Sequence, residues 1–180
     1  VNAYFSAFRG AGLAPLSFEV EARAMARAVI APGDDSTLMM VDFGRLRTGI
    51  AIVSRGFLDF TTTVPIGGQP LSTAIVEYLK VPLADVDRIK NEQGLTGARA
   101  HKELYMTLLG TALALKDEIN KHRVYWDTRK DDTGNLLPRV EKIVLCGGSA
   151  NLAGLSEYLS GSLRMPVEVA NVWRNAFSFD

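Results

Sequence analysis

Three features are scarce or missing in this chain of 180 residues: cysteine, an excess of charge of either sign, and a long apolar run. The single cysteine, Cys146, cannot form an internal disulfide, so we expect a buried thiol in the reducing cytoplasm. No stretch approaches the roughly 20 apolar residues that cross a bilayer, and no secretory signal opens the chain. The sequence therefore predicts a cytoplasmic globular protein without a membrane span.

The charges balance, with 20 lysines and arginines against 20 aspartates and glutamates. A chain with no net charge has no general attraction for nucleic acid or for an anionic membrane. Any phosphate-bearing ligand would therefore have to be held by local geometry. The rest of the composition is ordinary globular material, because 47% of the residues are apolar and 22% are charged. That is enough to bury one sizeable core or two small ones.

Hydrophobic periodicity and turn residues divide the chain into helices and strands. The predicted helices are "VNAYFSAFRG", Glu21 to Ala31, one after Pro70, one from about Pro82 to Gly94, Ala98 to His122, and "LAGLSEYLSGSL". The predicted strands are "LAPLSFEV", Thr37 to Phe43, Thr48 to Ser54, Phe57 to Val64, "VEKIVLC" and "MPVEVAN".

The last five strands form a meander of three, followed by two strands that are reached through helical crossovers. These connections predict an α/β fold: a mixed five-stranded sheet with helices on its faces. The order resembles the ribonuclease H-like unit, whose duplicated form builds the nucleotide-binding lobes of actin-like proteins.

The first candidate site is "VDFGRLRT", the segment that joins the first two strands of the meander. Asp42 ends its strand, where a carboxylate can hold a hydrated Mg²⁺ together with phosphate oxygens. Gly44 permits a sharp turn through which backbone N–H groups approach an anion. Thr48 can add a hydroxyl donor. The alternative is an ordinary β-turn, with aspartate and glycine in turn roles.

The second candidate is "CGGSANLAG", a glycine-rich turn between a strand and a helix. Gly147 and Gly148 leave N–H groups accessible at the positive end of a helix predicted to begin near Leu152. Ser149 or Asn151 is expected to cap that helix. The turn matches neither a dinucleotide fingerprint nor a P-loop, so alone it is a weak signal. Both candidate turns are expected at strand ends of one sheet, where together they would hold a nucleotide.

Four segments resemble the second half of the PilM family of type IV pilus assembly proteins, which are relatives of the cell-division protein FtsA among the actin-like ATPases. They are "VDFGRLRTGIAI", "PIGGQPLSTAI", "ADVDRIKNEQG" and "KIVLCGGSANLAGLSEYLSGSLRMPVEVAN". The resemblance implies that residues 1–32 are the end of an inserted subdomain and a connecting helix. It also implies that residues 33–180 form the second actin-like lobe, with a helical insertion at about 80–125.

The resemblance further implies binding of ATP and Mg²⁺, with Asp42 as the metal ligand. The phosphate loop, the adenosine loop and an acid–lysine pair near the ribose and base supply the implied binding residues: Asp42, Gly44, Thr48, Asp87, Lys90, Gly147, Gly148 and Ser149. For the Asp87–Lys90 pair, a solvent-facing ion pair at helical spacing is the alternative.

One departure from the family pattern lies in the phosphate loop itself. Arg45, Leu46 and Arg47 stand where the family usually has small residues. Two guanidinium groups can clamp phosphates, or their bulk can fill the pocket. The sequence leaves both possibilities open.

The function implied by the resemblance is a cytoplasmic nucleotide-binding scaffold at the inner-membrane face that recruits pilus proteins. The implied partner is the cytoplasmic tail of the membrane protein PilN, with membrane association through partners alone and no nucleic acid. ATP hydrolysis stays open. The alternatives are an FtsA-like division protein and a sugar kinase-type phosphotransferase lobe. An FtsA-like protein would end in an amphipathic membrane helix, whereas "VWRNAFSFD" is short and poor in basic residues.

Overall fold

A computed structural model of the chain describes residues 1–173 and residue 175. The helices are α1 (Asn2–Gly10), α2 (Glu21–Val29), α3 (Gln69–Leu79), α4 (Val86–Glu92), α5 (Gly94–Gly97), α6 (Lys102–Asp127) and α7 (Leu155–Leu163). The strands are β1 (Leu38–Phe43), β2 (Thr48–Ser54), β3 (Phe57–Val64), β4 (Lys142–Cys146) and β5 (Val167–Val169). Short 3-10 turns lie at Leu83–Asp85, Ala98–Ala100 and Gly148–Asn151.

The five strands form one mixed sheet in the order β3-β2-β1-β4-β5. The pairs β1–β2 and β2–β3 are antiparallel, while β1–β4 and β4–β5 are parallel. Arg55 and Gly56 close the β2–β3 hairpin with φ values of 51° and 78°, as a tight turn that follows the strand twist requires. The predicted mixed sheet with helical crossovers is confirmed.

One face of the sheet is covered by α3, α6 and α7. The apolar stripe predicted on α6 faces this core, since Leu104, Leu108, Leu115 and Ile119 are all buried. Near the end of α6 the buried Trp126 donates its indole N–H to the carbonyl oxygen of Pro138 at 2.9 Å. That hydrogen bond satisfies the indole donor and fixes the chain that leads into β4.

The other face of the sheet is covered by α2. Ala26 and Val29 of α2 pack with Leu38 and Met40 of β1 in a small second cluster. Side chains alternate along a strand, so Met39, Val41 and Phe43 point instead into the larger core. Asp42 continues the Leu38–Met40 series and therefore belongs to the α2 face.

Two predicted elements differ from the structure. "LAPLSFEV" forms no strand, because none of the strands in residues 1–173 and 175 pairs with it and Leu16 is 99% exposed. The long helix begins at Lys102 rather than Ala98, because a 3-10 turn precedes it and His101 has a non-helical backbone conformation. It also continues past His122 to Asp127, which allows Trp126 to reach the core.

None of the helices in the described part of the chain has the length and hydropathy of a membrane span. Most of the final segment, for which the sequence predicts no amphipathic anchor, lies outside the described residues. The division into residues 1–32 and 33–180, with an insertion at about 80–125, stays a prediction.

Candidate functional site

Asp42 sits where three strands meet. It pairs with Gly49 of the antiparallel neighbour and with Cys146 of the parallel neighbour. Its carboxyl group is only partly exposed, and burial raises its pKa, with a further contribution from the nearby charge of Glu21 and an opposing one from Arg47. Asp42 in turn helps burial to raise the pKa of the Cys146 thiol to about 11. Cys146 is therefore a packing residue rather than a reactive thiol.

The turn after β1 is held in place by a pair of glycines before α3. Gly68 donates its N–H to the carbonyl oxygen of Gly44 at 2.9 Å, and Gln69 donates to that of Arg45 at 2.9 Å. A Cβ atom on Gly67 would lie 2.5 Å from the carbonyl carbon of Leu46. Only residues without a side chain allow the two turns to approach this closely.

The turn after β4 closes against the same place. Gly147 has a φ of +86°, and a Cβ atom there would overlap the Asp42 carboxylate and lie 2.7 Å from the carbonyl oxygen of Phe43. The buried hydroxyl of Ser149 donates to the carbonyl oxygen of Gly44 at 3.5 Å. The two turns that were expected at strand ends of one sheet therefore meet at a single rim.

A cleft of about 650 Å³ opens at this rim, between the glycine turns and α4. Gly68, Gly148 and Ser149 line one side. A Cβ atom on Gly148 would meet nothing within 4 Å, so this glycine faces open space. Charged side chains also line the cleft: Arg45, Asp87 and Lys90.

Lys90 is the buried charge of the cleft. It is 6% exposed, and its ammonium group lies 2.6 Å from the carboxylate of the exposed Asp87. The pKa of Asp87 is lowered by the hydrogen bond from Lys90, by the Lys90 charge and by the charge of Arg45. In this ion pair, Asp87 therefore faces solvent, whereas Lys90 is desolvated.

The backbone of α4 is tied to the glycine turn. Ala153 donates its N–H to the carbonyl oxygen of Lys90 at 2.9 Å and accepts a hydrogen bond from the N–H of Leu95 at 2.8 Å. Gly94 has a φ of +43°, and a Cβ atom there would lie 2.5 Å from the nitrogen of Ala153. These contacts fix the distance between Lys90 and the turn after β4.

Two roles expected from the sequence are wrong. Thr48 is fully buried and donates its hydroxyl to the carbonyl oxygen of Ile66 at 2.6 Å, so it braces the rim instead of facing the cleft. Neither Ser149 nor Asn151 caps the following helix, because a 3-10 turn at Gly148–Asn151 intervenes and α7 begins at Leu155 without a side-chain cap.

The donor set suits Mg²⁺ bound through phosphates better than a metal held by protein alone. Across residues 1–173 and 175, no group of three or more histidines, cysteines and acids could hold a metal ion. Mg²⁺ usually keeps several waters and takes one or two carboxylates plus phosphate oxygens. The partly buried Asp42 beside the Gly147 turn fits that arrangement as a single carboxylate donor.

A second, larger groove lies on the α2 face and has a volume of about 970 Å³. The Asn175 side-chain amide donates to the carbonyl oxygens of Arg27 and Ile30 at one side of it. Gly33 and Gly56 line this groove, and the charges of Arg27 and Glu19 pair with each other there. Four of the predicted binding residues line the smaller cleft instead: Asp87, Lys90, Gly148 and Ser149. We therefore place the candidate site in the smaller cleft.

The model of the family described as type IV pilus assembly protein PilM matches residues 1–178. The chain belongs to the PilM family of type IV pilus assembly proteins. This membership favours a pilus protein over the division-protein and sugar-kinase alternatives. No curated protein is significantly similar to the chain in sequence.

Among solved structures, the chain is similar to one described as the PilM-PilN type IV pilus biogenesis complex, with 21% identity and a TM-score of 0.69. That match covers 97% of this chain and 48% of the other. The ethanolamine utilization protein EutJ from Carboxydothermus hydrogenoformans is 28% identical, with a TM-score of 0.62, and the match covers 94% of this chain and 55% of EutJ.

MreB5 of Spiroplasma citri, solved bound to ADP, is 17% identical with a TM-score of 0.68. The match covers 95% of this chain and 60% of MreB5. The predicted actin-like fold is confirmed by these neighbours. The chain spans between 48% and 60% of the length of the three structures.

The bracing glycines, Gly67 and Gly68, are not among the predicted site residues, although a glycine pair after a strand is typical of a close backbone approach. No sequence pattern predicts that Glu21 lies near Asp42, since Glu21 is in α2 and Asp42 is in β1.

Proposed function

We propose that this PilM-family chain forms one lobe of a nucleotide-binding scaffold that works at the cytoplasmic face of the inner membrane. The observation that carries the proposal is the meeting of the Gly44, Gly68 and Gly147 turns beside the desolvated Lys90. Glycine turns at strand ends let backbone N–H groups approach phosphates, and the buried Lys90, paired with Asp87, has further N–H donors for a ribose or base. ATP with Mg²⁺ is the ligand that this set of groups suits.

The predicted residues other than Thr48, which braces the rim, have roles in this proposal. Asp42 holds Mg²⁺, which neutralises phosphate charge when it is bound. Gly147, Gly148 and Ser149 form the wall against which the adenosine lies. Asp87 and Lys90 orient the ribose and base. Bound nucleotide would then fix the lobe relative to the rest of a longer protein, and that geometry would set how partners dock.

The similar PilM-PilN complex supports the cytoplasmic tail of PilN as the partner. The α1 helix adds a second support, because it buries none of its side chains. Tyr4 is 67% exposed, and Phe5 and Phe8 are each 41% exposed. Aromatic side chains of this kind are typical anchors of protein interfaces. We propose that α1 contributes to the surface that receives PilN, so the protein reaches the membrane through its partners.

The nucleotide proposal is tested by calorimetric titration of the full-length protein with ATP and Mg²⁺. Asp42→Ala is expected to lose most of the affinity, because the metal loses its carboxylate ligand. The matched control is Asp59→Ala, an exposed aspartate on the edge strand β3, which is expected to bind as the unsubstituted protein does. Equal affinity of the two variants for ATP would show that Asp42 does not take part in binding.

The partner proposal is tested by pull-down with a peptide that carries the PilN cytoplasmic tail. Tyr4→Ala in the full-length protein should weaken capture, whereas Tyr78→Ala, which removes a 45% exposed tyrosine on α3, should not. Capture that is unchanged by Tyr4→Ala would place the PilN surface elsewhere.

A further inference from the structure

The two arginines of the turn after β1 point to different sides of the rim. Arg47 reaches the α2 face, where its guanidinium lies 4.0 Å from the Glu21 carboxylate and its charge acts on Asp42. Arg45 lines the cleft, and its charge acts on Asp87. The two side chains therefore have different surroundings, although they are two residues apart in one turn.

The base of the Arg45 side chain is rigidly placed. Its carbonyl oxygen accepts a hydrogen bond from the N–H of Gln69 at 2.9 Å, and Gly67 packs directly against the same peptide. The guanidinium itself has no ion-pair partner within 4.0 Å among the residues that the structure describes. A fixed backbone with an uncommitted guanidinium can turn towards a ligand without breaking an existing ion pair.

The charged groups of the cleft do not cancel. Its described lining contains two cations, Arg45 and Lys90, and one carboxylate, Asp87, which gives a net charge of +1. The ammonium group of Lys90 is already paired with the Asp87 carboxylate at 2.6 Å. Arg45 is therefore the cation that remains for an anionic ligand.

We propose that Arg45 is the specificity-determining residue of this cleft, and that its guanidinium binds the phosphate chain so that nucleoside di- and triphosphates are preferred over the nucleoside. The proposal rests on the nucleotide-binding function proposed above. A guanidinium matches phosphate geometry with two parallel N–H donors, and such charge-assisted pairs are the strong ones. Adenosine lacks the phosphates and gains nothing from this contact.

The test is calorimetric titration of the full-length protein with adenosine and with ADP, both without added metal. Arg45→Ala is expected to weaken ADP binding by about tenfold or more, in line with a lost charge-assisted pair, and to leave adenosine binding unchanged. Arg45→Lys should fall between the two, because a point charge replaces the planar fork. Arg47→Ala is the matched control from the same turn and should change the ADP affinity by less than about threefold, the scale of an exposed ion pair.

The outcomes separate this inference from the function on which it rests. ADP affinity that is unchanged by Arg45→Ala, in a protein that binds ADP, would overturn the role of Arg45 and leave the nucleotide site standing. Tighter ADP binding by Arg45→Ala would also overturn it, since Arg45 would then obstruct the cleft. An unsubstituted protein that binds neither adenosine nor ADP would overturn the proposed function, and the role of Arg45 with it. The melting temperature of each variant checks that the exposed substitutions leave the fold intact.

Discussion

The two faces of the sheet differ in how they are packed and in what they carry. On one face, α3, α6 and α7 bury a large core in which Leu108 and Leu115 are almost completely inaccessible. On the other face, α2 covers a small cluster, and the partly buried Asp42 continues that face towards the rim. The cleft opens where the well-packed side reaches the glycine turns.

The larger core stabilises the fold on the first face, whereas the second face carries the carboxylate that we propose as a Mg²⁺ ligand. The face covered by α3, α6 and α7, here called the thick face, holds the sheet rigid and fixes the turns that depend on it. The face covered by α2 is called the thin face. The thin face leaves a carboxylate whose burial is unfavourable, which is typical of a group kept for a functional reason. Substitutions on the two faces should therefore differ in the size of their effect, and at Asp42 also in its sign.

The largest effect is expected for Leu115→Ala on the thick face. Leu115 is fully buried in α6, so its truncation leaves a cavity and should lower the free energy of unfolding by about 2–5 kcal/mol. Chemical denaturation measures this loss. Leu113→Ala on the same helix is the control, because Leu113 is 45% exposed and its truncation should change stability by less than about 0.5 kcal/mol. Similar losses for both variants would contradict the assignment of the buried stripe.

A smaller loss is expected for Val29→Ala on the thin face. Val29 packs from α2 on the sheet at 7% exposure. The loss of two buried methyl groups should lower the free energy of unfolding by about 1.5 kcal/mol. The same denaturation experiment compares the two faces directly. A loss as large as that of Leu115→Ala would mean that the thin face stabilises the fold as strongly as the thick one.

The smallest effect, and one of opposite sign, is expected for Asp42→Asn. Burial raises the folded-state pKa of Asp42, so the folded protein binds this proton more tightly than the unfolded chain does. The stabilising contribution of the protonated group is complete below the unfolded pKa and is lost as the pH rises through the raised folded pKa. At about pH 7, Asp42→Asn should therefore raise the melting temperature, and near pH 3, below the ordinary aspartate pKa of about 3.9, the gain should disappear.

Thermal unfolding at the two pH values checks this sign. Asp59→Asn on the exposed edge of β3 is the control and should show no such pH-dependent gain. A lower melting temperature of Asp42→Asn at neutral pH would show that the ionised carboxylate stabilises the rim. That result would contradict the contrast between the two faces, in which the ionised Asp42 carboxylate destabilises the fold and the buried core stabilises it.

Much of the fold was predictable because local patterns agree with the tertiary structure. The Arg55–Gly56 dipeptide predicts a tight hairpin, and the four-, seven- and four-residue spacing from Leu104 to Ile119 predicts a buried helical stripe; both are confirmed. The apolar residues of "LAPLSFEV" predict a strand, and this prediction is wrong. A strand needs a neighbour with which to pair, and no strand in the described part of the chain pairs with this segment.

The proximity of the two candidate turns was predictable, but the directions of their side chains were not. Asp42 and Gly147 were expected at neighbouring strand ends, and the parallel register that pairs Asp42 with Cys146 brings them together. Thr48 was expected to face a ligand, yet its hydroxyl donates a hydrogen bond to the carbonyl oxygen of Ile66. Loop side chains follow no fixed alternation, so their directions depend on what packs behind the loop.

The sequence by itself determined the family, the order of strands and helices, and the two glycine turns, because hydrophobic period and glycine placement act locally along the chain. The tertiary structure alone decided that Arg45 enters the cleft while Arg47 leaves it, and that Lys90 is buried. Those outcomes depend on contacts between segments far apart in the chain: Gly67 and Gly68 against the turn after β1, and Ala153 against α4. Such close approaches exist only once the sheet has brought its strand ends to one rim.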